Sequence, residues 1–417
     1  LAHLEKKMKI YLVGGAVRDQ LLGYPVKEQD WVVVGATPEI LLQQGYQQVG
    51  RDFPVFLHPK TREEYALART ERKSAPGYHG FVCDFNPHVT LEDDLARRDL
   101  TINAMAMDTD GKIIDPYHGQ RDLQAKLLRH VSPAFVEDPV RVLRVARFAA
   151  RYHHLGFKLA DETRVLMYEM VKQGELGHLI AERAWQEWQR SLEEKNPEVF
   201  IQILRSCGAL HVVLPELDAL FGVPNKPYYH PEIDSGVHSL MVLRAAVDMS
   251  SDPNIRFGAL VHDLGKACTP MVEWPSHHGH EELGLTVIEN LCQRLRIPTD
   301  YRKFACLVSK YHLTIHRLFE LQASTIVKLF EQTDAFRRRE RFDQLLVVCE
   351  ADAQGTGRKI DYKQAQHWQE LLDQCAKISP QILIDQGQQG EAIKLGLHQL
   401  RVACVEGIIN LWKQHEK

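Results

Sequence analysis

Residues Ile10 to Val34 read IYLVGGAVRDQLLGYPVKEQDWVVV, and the fold turns on how this stretch is punctuated. Ile10–Val13 is apolar and β-prone, Gly14-Gly15 interrupts it, Ala16–Leu22 has helical spacing, and Gly23 ends the helix. A second strand opens with Glu28 and Asp30 and runs into Val32-Val33-Val34. Adjacent glycines ahead of a helix let backbone N–H groups approach a phosphate, where the helix N-terminus favours negative charge. Gly15 is thus a phosphate-binding candidate, and Arg18, one turn along, reaches the same phosphates. Glu28 and Asp30 are two apart, hence on one face of a strand. Hard oxygen ligands beside a phosphate cradle suit Mg²⁺ and phosphoryl or nucleotidyl transfer.

The chain has 417 residues, enough for two to four domains. At 44% hydrophobic and 25% charged it has the profile of a soluble globular protein. It lacks an apolar run of membrane-spanning length and a signal-peptide segment, so no membrane association is expected. Met8, directly before the first strand, is read as the natural start, with residues 1–7 a leader. The net charge of −4 leaves nucleic-acid binding to a local basic face. Eight scattered cysteines without C-x-x-C argue against a zinc ribbon or disulfide framework and for a cytoplasmic setting.

Gly-Gly followed by two carboxylates on the next strand resembles the DNA polymerase β nucleotidyltransferase superfamily. Within it, LVGGAVRDQLLG is similar to the class II branch of CCA-adding enzymes and bacterial poly(A) polymerases. That family has Asp-x-Asp; here the first carboxylate is Glu28, one methylene longer. Downstream, Phe53–Leu57 and Glu64–Ala68 read as paired strands. Glu64 stands either where the superfamily keeps a third carboxylate or as a solvated edge residue. The following RTERK and SAPGYHGF read as a loop able to close over a nucleotide or RNA end.

Arg97, Arg98, Asp99, Thr101 and Asn103 match, in order, an RRD-x-T-x-N-A motif that in the family lies beside the triphosphate. Next, EDPVRVLRVARFAARY reads as a helix capped by Asp138 with Pro139 as its first residue. Arg141, Arg144, Arg147 and Arg151 share about a third of its circumference. Glu137, Asp138 and Arg141 resemble the family's E-D-x-x-R, which templates the incoming base; Arg144 and Arg147 resemble positions contacting base or phosphate. A carboxylate accepts and a guanidinium donates, as the edges of cytosine and adenine require. Uracil and guanine would leave buried polar groups unpaired, at about 1–3 kcal/mol each. Residues from Leu155 to about Leu220 read as amphipathic helices, with Trp185 and Trp188 as packing residues.

After a linker at Asn225–His230 come His238, then His262-Asp263 in GALVHDLGKA, then His277, His278 and His280, then Asp352 in LLVVCEADAQG. Imidazole mixed with carboxylate suits a first-row divalent metal with open positions for water. The pattern resembles the HD superfamily of metal-dependent phosphohydrolases, with His238, His262, Asp263 and Asp352 in the four ligand places. His278 and His280 are extra-ligand candidates, whereas His312, followed by Leu313, is given no role. Residues 361–417 read as helices packing on this module, without chemistry of their own.

The expected architecture is an α/β nucleotidyltransferase head, a small mixed sheet with helices (8–136), followed by an all-α neck and body (137–224), an all-α HD domain (228–355) and a helical tail (356–417). The combined resemblance implies addition of CMP, CMP and AMP to the 3′ end of tRNA from CTP and ATP, with Mg²⁺ at Glu28 and Asp30. It also implies 2′,3′-cyclic phosphodiesterase, 2′-nucleotidase and phosphatase activity with Ni²⁺ or another transition metal at the HD residues. The expected partner is tRNA, not DNA, and homodimerisation is left open. Two other readings stand beside it: a poly(A) polymerase-like enzyme, and an HD hydrolase or RNA-binding protein whose head is inactive through Glu28.

Overall fold

The computed structural model describes residues 8–26, 28–49, 55–73, 81–226, 234–357 and 360–415. The expected leader, the start of the strand at Phe53, most of the glycine-rich loop and the end of the linker lie outside them. The chain divides into two compact units, Leu1–Val213 and Leu214–Lys417.

The first unit is built on a mixed sheet. Its strands are β1 (Lys9–Val13), β2 (Asp30–Val34), β3 (Gln47–Gln48), β4 (Val55–Leu57) and β5 (Glu64–Leu67), then, after the separate ribbon of β6 (Thr70–Lys73) and β7 (Phe81–Asp84), β8 (Ala106–Met107) and β9 (Ile113–Ile114). The order is β3-β4-β5-β2-β1-β8-β9, with β2 and β5 parallel and the other neighbours antiparallel. RTERK, expected in a loop, is therefore largely strand: Thr70–Lys73 pairs with Phe81–Asp84. Its Thr-Glu-Arg-Lys sequence lacks the apolar alternation by which a strand is recognised, because this ribbon is not part of the core sheet.

Apolar residues run unbroken from Trp31 to Val34 of β2 because both faces of the sheet are covered. Val32 packs in one cluster with Leu91 and Leu95, while Val33 packs in another with Leu41, Phe56 and Tyr65. The head helices are α1 (Gly15–Leu21), α2 (Pro38–Gln43), α3 (Leu91–Ala96) and α4 (Gly119–Ala125). Thr90 and Asp93 form a reciprocal capping box at the start of α3, and Arg97 and Arg98 follow its C-terminal end. The unit continues through α5 (Val140–Tyr152), α6 (Asp161–Lys172), α7 (Ala181–Leu192), α8 (Pro197–Ser206) and α9 (Ala209–Val213). Trp185 and Trp188 are buried, their rings edge-to-face at 5.6 Å, as packing residues should be.

The described part of the second unit is helical: α10 (Pro215–Asp218), α11 (Ser235–Met249), α12 (Pro253–Val261), α13 (His280–Arg294), α14 (Thr299–His316), α15 (Ala323–Gln332), α16 (Arg339–Gln354), α17 (Gln364–Ala376), α18 (Gln381–Asp385) and α19 (Glu391–His415). One core joins α11, α12 and α14–α16 to Trp368 and Leu371 of α17 and Val405 of α19. The Trp368 indole donates to the Ile315 carbonyl at 3.0 Å, tying the tail to the end of α14. No described helix is long and apolar enough to cross a membrane.

Candidate active sites of the two units

In the first unit, the glycine turn, the carboxylates and the arginines converge on one open cavity of about 610 Å³. Gly14 has φ 70°, a backbone conformation that favours glycine, and the Arg98 guanidinium packs close against it. The Gly14 N–H is taken by the Met105 carbonyl at 3.1 Å. This narrows the expected two-glycine cradle to N–H groups from Gly15 onward. Arg18 is 4% exposed; its guanidinium donates to Asn103 Oδ1 and, at 2.9 Å, to Asp19 Oδ1. Asp19 also accepts from the Tyr152 hydroxyl at 3.0 Å, locking α1 to α5.

Strand β2 begins at Asp30, so Glu28 lies in the segment ahead of the strand rather than on it. Both carboxylates line the cavity. Asp30 stands opposite Glu64 in the parallel β2–β5 pair, which sets a third carboxylate beside it along the sheet. Burial pushes the Asp30 carboxyl up from its ordinary pKa, Arg98 pulls it back, and Glu28 adds to the rise. Arg98 Nη2 lies 3.4 Å from Asp94 Oδ2, while its Nε is buried without a hydrogen-bond partner among the described residues. Arg98 lines the cavity wall, where its guanidinium is suited to an incoming anion.

Asp99 is buried, accepting from Arg144 Nε at 2.7 Å and Asn103 Nδ2 at 2.8 Å. Burial alone would raise its pKa; Arg144 and Asn103 more than reverse that and hold it well below the usual carboxylate range. Thr101 faces away from the cavity, donating to Asp122 Oδ2 at 2.7 Å. Thus Arg97, Arg98, Asp99 and Asn103 of the motif line the cavity, and Thr101 supports the fold.

Helix α5 starts at Val140, one residue later than expected, with Asp138 Oδ1 accepting from the Val140 N–H at 3.1 Å. Arg141, Arg144, Arg147 and Arg151 all reach the cavity. Arg147 Nε donates to Glu187 Oε2 at 2.5 Å. Arg141, however, donates at 2.6 Å to the carbonyls of both Ala134 and Arg97. The guanidinium paired with Asp138 is instead that of Arg183 in α7, at 2.7 and 3.1 Å. Arg183 is 45 positions downstream, and no local spacing could have revealed it.

The second unit buries a cluster of histidines and aspartates. His238 (α11), His262 and Asp263 (end of α12) and Asp352 (α16) are each at most 8% exposed. His238 Nε2 lies 2.9 Å from Asp352 Oδ1, and His262 Nε2 lies 3.2 Å from Asp263 Oδ2 and 3.7 Å from Asp352 Oδ1. His262 Nδ1 faces the Ala259 carbonyl at 2.8 Å, which fixes its tautomer and leaves Nε2, buried and unpaired, for a metal. Two sets of donors, His238/His262/Asp352 and His262/Asp263/His312, are each spaced to hold an ion. This donor chemistry fits a divalent transition metal.

Three expectations change here. His312, given no role, points into the cluster from α14, and burial pushes its pKa down to about 3. The i, i+4 spacing of His312 and His316 was the missed signal: both fall on one helix face, and His316 Nε2 reaches Asp352 Oδ2 at 2.8 Å. His278 is exposed, while His280 is buried with Nε2 3.2 Å from Asp263 Oδ1; His277 is tied to Thr269 and the Pro224 carbonyl. Of the candidate extra ligands only His280 is in place. Finally, the region read as chemically silent supplies Tyr362, whose hydroxyl lies 2.9 Å from His316 Nδ1.

Comparison with known proteins identifies the family. Residues 10–129 match the poly A polymerase head domain, 156–221 the family described as a probable RNA and SrmB-binding site of polymerase A, and 236–353 the HD domain. The multifunctional CCA protein of Legionella pneumophila (strain Paris) is 68% identical over 98% of this chain and 100% of its own length. The fold is shared with the Thermotoga maritima CCA-adding enzyme solved with tRNA (TM-score 0.64, 20% identity, 96% of this chain and 88% of that one). It is shared also with the Bacillus stearothermophilus CCA-adding enzyme solved with CTP (TM-score 0.61, 22% identity, 98% and 94%). With near-complete coverage at this identity, the chain belongs to the multifunctional CCA proteins, joining a nucleotidyltransferase head to an HD domain.

Proposed function

We propose that the first unit adds CMP, CMP and AMP to the 3′ end of tRNA from CTP and ATP, releasing pyrophosphate, and that the HD pocket hydrolyses phosphate esters. The observation that carries the first part is the single cavity joining Gly15, Arg18, Glu28, Asp30 and Arg98 to the arginine face of α5. Arg18 and Arg98 bind the triphosphate, with the N–H groups from Gly15 onward as further donors. Glu28 and Asp30, with Glu64 beside Asp30, are the residues that would hold Mg²⁺. When bound there, Mg²⁺ supplies charge neutralisation at the attacking hydroxyl and the departing pyrophosphate.

Asp138 reads the base. Its carboxylate accepts from the amino group of C or A, and an adjacent guanidinium donates to the ring nitrogen. Arg183 is the partner already seated on Asp138; Arg141, fastened to two carbonyls, holds the turn from which Asp138 projects and is the alternative donor. Arg144 and Arg147 are kept rigid by Asp99 and Glu187 and support base or phosphate from the same helix face.

For the second unit, His238, His262, Asp263 and Asp352 would hold Ni²⁺ or another divalent transition metal. The reactions we assign there are 2′,3′-cyclic phosphate, 2′-nucleotide and general phosphomonoester hydrolysis. Free cysteines among the described residues accord with a cytoplasmic location. Incubating the protein with Mg²⁺, tRNA lacking its 3′ end, and each labelled nucleoside triphosphate alone and in pairs tests the reading. We expect CMP incorporation with CTP and a terminal AMP only when CTP is also supplied. Long adenylate tracts from ATP alone would identify a poly(A) polymerase instead.

A further inference from the structure

We propose that Arg190 of α7 clamps the terminal phosphate of the incoming nucleoside triphosphate, and with it the pyrophosphate that leaves. The inference rests on the reading of the first unit's cavity as the nucleotide site. Arg190 is one of the arginines lining that cavity. Most of the others are tied down by the protein itself: Arg144 by Asp99, Arg147 by Glu187, Arg183 by Asp138, and Arg18 and Arg151 by Asp19. Arg190 is exposed, and among the described residues its guanidinium makes no hydrogen bond or ion pair.

Position along the cavity decides which part of the nucleotide it meets. Asp138, just ahead of α5, pairs with Arg183 of α7, and Arg147, farther along α5, pairs with Glu187. The two helices therefore run in the same direction beside the cavity. Arg183, Glu187 and Arg190, at i, i+4 and i+7, share one face of α7. About one turn beyond the Arg147–Glu187 pair come Arg151 on α5 and Arg190 on α7, both in the cavity lining. Arg190 thus stands two turns from Arg183, roughly 10 Å along the helix axis. The phosphate cradle lies at that same end. The Arg18 guanidinium is 5.1 Å from the ring centre of Phe148 and 5.3 Å from that of Tyr152, and Arg151 reaches Asp19 at 3.4 Å. A nucleotide whose base is read at Asp138 therefore carries its phosphates toward Arg190.

Charge points the same way. A single carboxylate, Asp19, faces both Arg18 and Arg151 and also accepts from the Tyr152 hydroxyl, so these two arginines share one negative charge. Arg190 adds a third guanidinium with no carboxylate of its own. Its planar fork of N–H donors matches the oxygens of a terminal phosphate, the most highly charged group of a nucleoside triphosphate. Transfer breaks the bond between the α-phosphorus and the bridging oxygen, so the β- and γ-phosphates depart together and Arg190 stays with the γ-phosphate until they leave. Because Arg190 is exposed, that departure returns it to water rather than stranding a buried charge.

The test compares CTP with CDP on the full chain, stripped of transition metals and supplied with Mg²⁺, in the absence of RNA so that nothing is transferred. Equilibrium binding should favour CTP over CDP in the wild type. Arg190→Gln should lower CTP affinity about tenfold, toward that of CDP, and leave CDP affinity unchanged. Pyrophosphate should also inhibit CMP incorporation less in the variant. No preference for CTP in the wild type, no loss in the variant, or equal losses for CTP and CDP would overturn the clamp, the last assigning Arg190 to the fold or to the general field of the cavity. Intact CTP affinity with a raised KM for tRNA would overturn it too, making Arg190 a contact to RNA phosphate. A wild type that binds neither nucleotide would instead remove the nucleotide reading of the cavity.

Discussion

The two sites are opposite solutions to charge. In the nucleotidyltransferase cavity the protein's own acids and bases are matched: Asp99 with Arg144, Glu187 with Arg147, Asp138 with Arg183, Asp19 with Arg18. The lining still carries ten arginines against four carboxylates, so the cavity awaits an anion, while Glu28 and Asp30 form an acidic spot on its wall. In the HD pocket the leftovers are lone pairs, at His262 Nε2 and Asp263 Oδ1, so it awaits cations. Pairing lets the arginines stay charged and fixed in place, ready for a ligand that varies between turnovers. Surplus donors of electrons suit a resident ion, which stays.

If this contrast is right, removing a matched pair and removing a surplus group have different signatures. The largest effect short of abolishing a site is expected at Asp138. Asp138→Ala removes the acceptor for the base amino group and strands Arg183, so kcat/KM for CTP and ATP should fall by roughly 10- to 100-fold, about 1–3 kcal/mol when buried. UTP and GTP, already poor, should change far less. Equal loss for all four would assign Asp138 to phosphate positioning or helix support. Arg183→Ala and Arg141→Ala then identify the donor, since only the partner of Asp138 should lower CTP and ATP use selectively.

A subtler effect concerns pH. Burial raises the Asp30 pKa and Arg98 opposes that rise. Metal binding needs the carboxylate, so activity should decline as pH falls through this raised pKa. Arg98→Gln removes the opposing cation and should move the acid limb of the CTP kcat/KM profile to higher pH, whatever it does to the plateau. An acid limb that stays put or moves down would detach Asp30 from it. The smallest change is expected for Glu28→Asp. Glutamate is an acceptable oxygen ligand, and Glu28 lies in the segment ahead of β2 rather than on the strand. We expect kcat within about tenfold of wild type. A loss as large as that of Asp30→Asn would mean that the longer side chain is needed here.

How much of this could be read from the chain follows the same division. The glycine turn, the β1–α1–β2 run, the paired β4 and β5 and the α5 arginine face are encoded in short, contiguous patterns. The His262-Asp263 pair likewise stands out in an apolar helix. Asp30 beside Glu64 required knowing that β2 and β5 pair in parallel, a long-range fact. Arg183 on Asp138 and Glu187 on Arg147 depend on α7 packing against α5, which no local period encodes. His312 has no aspartate beside it to mark it in the sequence; the operative pattern is one helix face carrying His312 and His316. His278 and His280 differ by a single turn of chain. His280 is the one that is buried, on the first turn of α13 where its backbone packs closely against Gly265.

The central claim is that two chemically independent sites share this chain. Asp30→Asn and His262→Asn should therefore be prepared as folded full-length proteins and assayed side by side for CMP and AMP incorporation into tRNA lacking its 3′ end and for 2′,3′-cyclic phosphate hydrolysis. The account predicts a double dissociation: Asp30→Asn loses incorporation by at least roughly a thousandfold and keeps hydrolysis, and His262→Asn does the reverse. Loss of both activities in either folded variant would contradict it.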